Sequence, residues 1–100
     1  MDKQLIEFDN AVEALGDSML SNMPQNRIKD IQQFREYFEQ VADVQLRKLG
    51  LRLIDECISF AYMFRMGVDY SKVFDKSLEI GHLREEVTRR GLRLDRSTQA

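Results

Sequence analysis

Leu5, Phe8, Val12, Leu15 and Met19 step along the chain by 3, 4, 3 and 4 residues. Only an α-helix brings such a series onto one side. Helical spacing returns three more times. Ile31, Phe34, Phe38, Val41 and Leu49 form a second stripe, interrupted by the polar Gln45. Leu53, Ile54, Cys57, Phe60, Ala61 and Phe64, with Ile58 and Met66, surround most of a third helix. Val73, Leu78, Ile80, Leu83 and Val87 mark the inward face of a fourth, with Phe74 beside them. The chain has one proline and five glycines, lacks alternating apolar and polar runs, and contains no Asn-Gly or Asp-Gly pair. A β fold needs those signals.

The stripes and their flanking residues predict helices over 2–21, 27–49, 51–66 and 70–90. Asp2, Asn26 and Asp69 are suited to N-caps, because a short side-chain oxygen can accept from free amides of the first turn. Pro24 pushes the residue before it out of the α region and ends the first helix. Gly50, Gly67 and Gly91 are read as the ends of the other three. Short connections between four amphipathic helices imply an antiparallel four-helix bundle. One domain over residues 1–91 is expected, with a loosely ordered tail over 92–100 beyond Gly91. The third helix, apolar on nearly every side, should be central, and its surplus apolar surface points to a homo-oligomer.

With 100 residues the chain has room for one core. A net charge of −2 argues against a dedicated nucleic-acid binder. The five arginines from Arg84 onward are mixed with three acids and lack interleaved aromatics, so they read as a solvated helix end. No 18-residue apolar run is present to span a membrane. The charged start "MDK" has no apolar segment of the signal-peptide kind. With a single cysteine there is no internal disulfide, and a cytoplasmic location is expected. Cys57 lies in an apolar stripe, where a thiol packs as a small hydrophobe. His82 falls on or near a polar side and reads as a rim residue.

No phosphate-cradling glycine loop, CxxC or nucleophile elbow occurs. The residues left that could carry chemistry are acids. In a continuous second helix Glu36, Glu39 and Asp43, spaced by three and four, share one face. Asp55 and Glu56 follow on the next helix. Facing carboxylates in a bundle can hold a hard cation such as Mg²⁺, and can equally be a solvated acidic face.

"REYFE" (35–39), "RLID" (52–55) and the run "AYMFRMGVDYSKVFDKSLE" (61–79) together resemble the MazG-like, all-α nucleoside triphosphate pyrophosphohydrolases. That family carries EExxE on its second helix, ExxD on its third and a G-[IV]-D turn before its last. The resemblance implies a MazG-like bundle in which Glu36, Glu39 and Asp55 are catalytic and these three with Glu56 ligate Mg²⁺. It also implies that Lys76 and Arg84 contact nucleotide phosphates, and that a metal-activated water attacks the α–β phosphoanhydride. The chain departs from the pattern where Arg35 and Arg52 stand in place of two glutamates, and where Ile80 replaces an asparagine. A second register, on "LGLRLIDECISF" (49–60), keeps Glu56 but places Cys57 and Phe60 at acidic positions. Two functions therefore stand side by side. One is a divergent nucleotide pyrophosphohydrolase, its catalytic site intact or degraded. The other is a non-enzymatic helical interaction protein, such as an inhibitor, immunity or mobile-element protein, working through a protein partner.

Overall fold

The computed structural model describes residues 2–21 and 25–99 of the chain. The Pro24 stop lies outside these residues, as does the side chain of Met19. The described chain is all helix and turn, with no strand among the described residues. Its elements are α1 (Lys3–Ser21), α2 (Gln25–Gln32), α3 (Arg35–Gln40), α4 (Val44–Arg65) and α5 (Tyr70–Gln99).

Asp2 caps α1 as expected, its Oδ1 accepting from the Gln4 amide at 2.8 Å. The second expected helix differs from its forecast at both ends and in the middle. Asn26 lies inside α2, which already starts at Gln25. At Phe34 the amide donates to the Ile31 carbonyl, three residues back rather than four. This tightened turn separates α2 from α3, yet Ile31, Phe34 and Phe38 all stay in the core at 1%, 6% and 0% exposure. The true break comes at Val41 and Asp43, both extended, with φ/ψ of −64°/127° and −69°/117°. Asp43 then caps α4, its Oδ2 accepting from the Leu46 amide at 2.8 Å. Gln45, the polar residue in the expected stripe, is exposed.

Gly50 is therefore no helix end. It sits within α4, where the ring of Phe38 lies against its backbone. A Cβ built on Gly50 would meet that ring at 2.1 Å, far inside contact distance. The glycine lets α3 cross close over α4. Gly67 does end a helix. With φ at 68° it adopts the left-handed conformation that a glycine tolerates. Its amide bonds Phe64 O at 3.2 Å and the next amide, Val68, bonds Met63 O at 3.1 Å. That pair of bonds is a Schellman stop. Asp69 then begins α5, its carbonyl accepting from Lys72 and Val73.

Gly91 does not stop α5, which continues to Gln99. Anchors on both sides hold it: Arg90 bonds the Asp43 carboxylate, and Leu94 packs on the core. At about 1.5 Å per residue, the 30 residues of α5 span about 45 Å, nearly the whole 48 Å length of the molecule.

Phe8 of α1 meets Phe34 and Phe38 edge-on at 5.4 and 4.8 Å, closing α1 over the α2–α3 arm. α4 is the hub, packing against α2, α3 and α5, with Leu53, Ile54, Cys57 and Phe60 at most 2% exposed. Partner positions run in opposite senses on α4 and α5, Asp43 with Arg90 and Glu56 with Lys76, so the two helices are antiparallel. Leu78, expected to face inward, is 51% exposed. It follows Val73 by five residues and precedes Ile80 by two, which turns it to the opposite side of α5.

The Phe38–Gly50 contact makes a sharp expectation. Gly50→Ala gains about 1 kcal/mol in helix propensity but overpacks a fully buried ring, which costs typically 1–3 kcal/mol and more where nothing can shift. Chemical denaturation should show a net loss of about 1–2 kcal/mol. Phe38→Leu in the same chain should recover part of it. A stabilised Gly50→Ala protein would contradict the contact.

Candidate functional site

The acids of the expected site sit on α3 and α4, and the geometry separates them. Arg35, not Glu36 or Glu39, faces α4, and its Nη2 donates to Asp55 Oδ1 at 2.8 Å. Glu36 is exposed and accepts from Gln40 one turn along the same helix at 3.4 Å. Glu39 is exposed as well. The expectation that Glu36 and Glu39 meet Asp55 or Glu56 across the helix interface is thus corrected. Phe38 occupies the inward side of α3, and a six-residue helix has only one flank left to turn toward α4. Arg35 takes it.

Glu56 points instead toward α5. Its Oε2 accepts from Lys76 Nζ at 2.5 Å, both side chains being 21% exposed. Lys76 reaches Glu79 too, at 3.6 Å. The hydrogen bond to the Glu56 carboxylate raises the Lys76 ammonium above its ordinary value, so it carries a full charge at neutral pH. Arg84 turns toward α1. Its Nε and Nη2 donate to Asp9 at 2.6 and 3.1 Å, and Nη2 lies 3.4 Å from Glu13. The two cations expected to hold phosphates are each engaged with carboxylates of the chain itself.

Among the described residues, no three His, Cys, Asp or Glu side chains come close enough to share a metal ion. Glu36, Glu39, Asp55 and Glu56 do not fit the oxygen cage that Mg²⁺ requires. Nor do they line the recess of about 480 Å³ at the end of the bundle, where Leu5, Tyr37, Val41, Leu46 and Leu94 meet.

Asp43 stands at the edge of that recess. Besides capping α4 it accepts from Arg90 Nε and Nη2 at 2.9 and 2.6 Å, a two-pronged bond. The Arg90 guanidinium, helped by the Leu46 amide, lowers its carboxyl from 3.8 to about 2. Burial pushes the Cys57 thiol up to about 12, with the Glu56 charge adding to the effect. Such a thiol is inert, as its stripe position suggested. His82 is exposed.

Sequence reasoning missed two features. Asp43, three residues before Leu46 and ahead of a new apolar phase, carried the signature of an N-cap. The Asp9–Arg84 pair joins positions 75 apart, and no local pattern announces it.

A further feature of the structure is apolar and exposed. Around the turn from α4 into α5, Tyr62, Met66, Tyr70, Phe74 and Leu78 are 50%, 77%, 77%, 50% and 51% exposed. Tyr70, Phe74 and Leu78 are four apart and share a face of α5; Tyr62 lies in the last turn of α4 and Met66 is its C-cap. Among the described residues no helix is long and apolar enough to cross a membrane. Comparison with family models, with curated proteins and with solved structures gave no match.

Two outcomes check this geometry. The folded Asp43 carboxyl titrates lower than the unfolded one, so its stabilising contribution is complete above about pH 4 and fades as pH falls toward 2. Asp43→Asn should therefore melt below wild type at pH 7, and the gap should narrow between pH 4 and 2. Millimolar Mg²⁺ or Mn²⁺ should leave the melting temperature unchanged, since among the described residues no three acids gather to bind the ion in the native state. A rise of several degrees that Glu39→Gln abolishes would restore the acidic site.

Proposed function

We propose that the protein is a non-enzymatic helical interaction module that presents the corner between α4 and α5 to a protein partner. One observation carries this proposal. Large apolar side chains are exposed on both arms of the α4–α5 turn, Tyr62 and Met66 on one and Tyr70, Phe74 and Leu78 on the other, while Asp55, Glu56, Lys76 and Arg84 are held in ion pairs within the chain. Large apolar side chains exposed along one helix face, as Tyr70, Phe74 and Leu78 are on α5, mark interaction sites. Tyrosine, phenylalanine and methionine are also the side chains that bury most area at protein interfaces for least ordering cost. An inhibitor, immunity or regulatory role in the cytoplasm fits such a module.

The likeness to MazG-like pyrophosphohydrolases rests on the order of three motifs. The pyrophosphohydrolase proposal keeps Glu36, Glu39 and Asp55 as its acids, and Lys76 and Arg84 as its phosphate contacts. For this chain it would require Lys76 to leave Glu56 and Arg84 to leave Asp9.

Two measurements separate these proposals. Pyrophosphate release across a panel of nucleoside triphosphates with Mg²⁺ or Mn²⁺ should stay at the uncatalysed rate. Turnover lost in Asp55→Asn would overturn the interaction proposal. A photo-cross-linking amino acid at position 74, in cells that make the protein, should yield a discrete protein adduct. The same probe at Gln32, exposed on α2, should not. Equal labelling from the two positions, or none, would remove the corner as a docking face.

A further inference from the structure

The core stripe of α5 has a gap. Ile80, Leu83 and Val87 follow one another by three and four, at 8%, 4% and 4% exposure, and Leu94 continues the series on the core. The helical step between Val87 and Leu94 falls on position 91. There the chain has a glycine, and it is buried. Its neighbours in the stripe fill the space between the helices with large side chains, while Gly91 fills none. The recess of about 480 Å³ lies at that place, with Gly91 in its lining.

Glycine works against stability at such a position. It weakens a helix interior relative to alanine or leucine, and atoms beside a void lose packing partners. Gly91 lies within the regular helix α5, so no left-handed turn calls for it. The space it leaves is of the size of small-molecule sites, about 300–1,000 Å³, and roughly three times the apolar cavity that takes a benzene ring.

The lining says what fits there. Its depth is apolar: Leu5 and Leu46 are 2% and 4% exposed, and Tyr37, Val41 and Leu94 are partly buried around them. At the mouth, the charged side chains that line the recess are two carboxylates, Asp2 and Asp43. Arg90 answers the Asp43 charge. Asp2 uses Oδ1 to accept from the Gln4 amide, and among the described residues it has no ion-pair partner. A negative mouth above an apolar floor complements an apolar body that ends in a cation. An anion would be repelled by Asp2, and a neutral group would forgo its attraction.

We propose that this recess binds a small amphipathic amine. Its apolar body lies against Leu5, Leu46 and Leu94, in the space left by the missing side chain at Gly91, and its ammonium meets Asp2. The recess is at the opposite end of the α4–α5 pair from the exposed corner, so this site does not depend on the docking face.

The test uses the purified full chain and three probes of one shape: naphthylmethylammonium, naphthylmethanol and naphthoate. Each is titrated by calorimetry at low ionic strength. The ammonium should bind with a dissociation constant of about a millimolar or less, about threefold or more below that of the alcohol. Naphthoate should bind weakest. The ammonium should also raise the melting temperature, as a ligand of the native state does. Asp2→Asn keeps a good N-cap while removing the charge. It should leave alcohol binding unchanged and remove roughly half of the preference for the ammonium. Gly91→Leu restores the missing member of the stripe. That variant should melt above wild type and weaken the ammonium about tenfold or more. Equal binding of ammonium and alcohol overturns the choice of an amine, and binding of no probe overturns the site. A Gly91→Leu chain that melts below wild type, or that still binds the ammonium, leaves no ligand space at position 91 and overturns the site as well.

Discussion

The approach of Phe38 to the bare backbone at Gly50 governs how the rest of the chain is laid down. A ring that close leaves no space for even a methyl group, so the distance between α3 and α4 is set at one point. Phe8 then packs edge-on against Phe38 and Phe34, which brings α1 onto the same side of the hub. Because α3 must end soon after that crossing, the chain turns at Val41–Asp43, and the turn supplies the carboxylate that α5 grips with Arg90. A cluster of three phenylalanines and one glycine thereby determines where two helices end and how a third is anchored.

The ion pairs form a second layer, and they are unequal. Arg52 with Glu79 at 3.4 Å, with side chains 61% and 41% exposed, contributes little in water. The Asp43–Arg90 and Asp9–Arg84 pairs are two-pronged and far less exposed, which gives them direction as well as attraction. Lys76, Arg84 and Arg90 project from α5 at intervals of eight and six residues, to α4, to α1 and to the loop between α3 and α4. These cations act as spacers that hold the long helix in register with three neighbours. They also account for why the acids of the sequence make no common site.

Much of the fold was legible because amphipathic spacing is a local signal. The stripes at Leu5–Leu15 and Val73–Val87, the Asp2 cap and the stop at Gly67 follow from residues within a turn of each other. What misled was glycine. At Gly50 and Gly91 the residue was read as a terminator, whereas its role depends on Phe38 in one case and on Arg90 and Leu94 in the other. Gln45 did carry a warning. A polar residue in an apolar stripe marks a change of helix phase, and the helix had in fact restarted at Val44. The acids were legible as residues but not as a site, because Arg35 and Lys76 reach them only through tertiary packing.

Cys57 lies in the hub helix with 1% exposure and a thiol held near 12. Reagents for thiols attack the thiolate, so in the closed molecule this sulfur is hidden twice, by lack of access and by lack of charge. It becomes reactive only while the interface of α4 with its neighbours is open. The chain thus contains its own single-site clock for core breathing. The rate at which a thiol reagent consumes the protein reads out how often the hub lets go, with no label added and no residue changed.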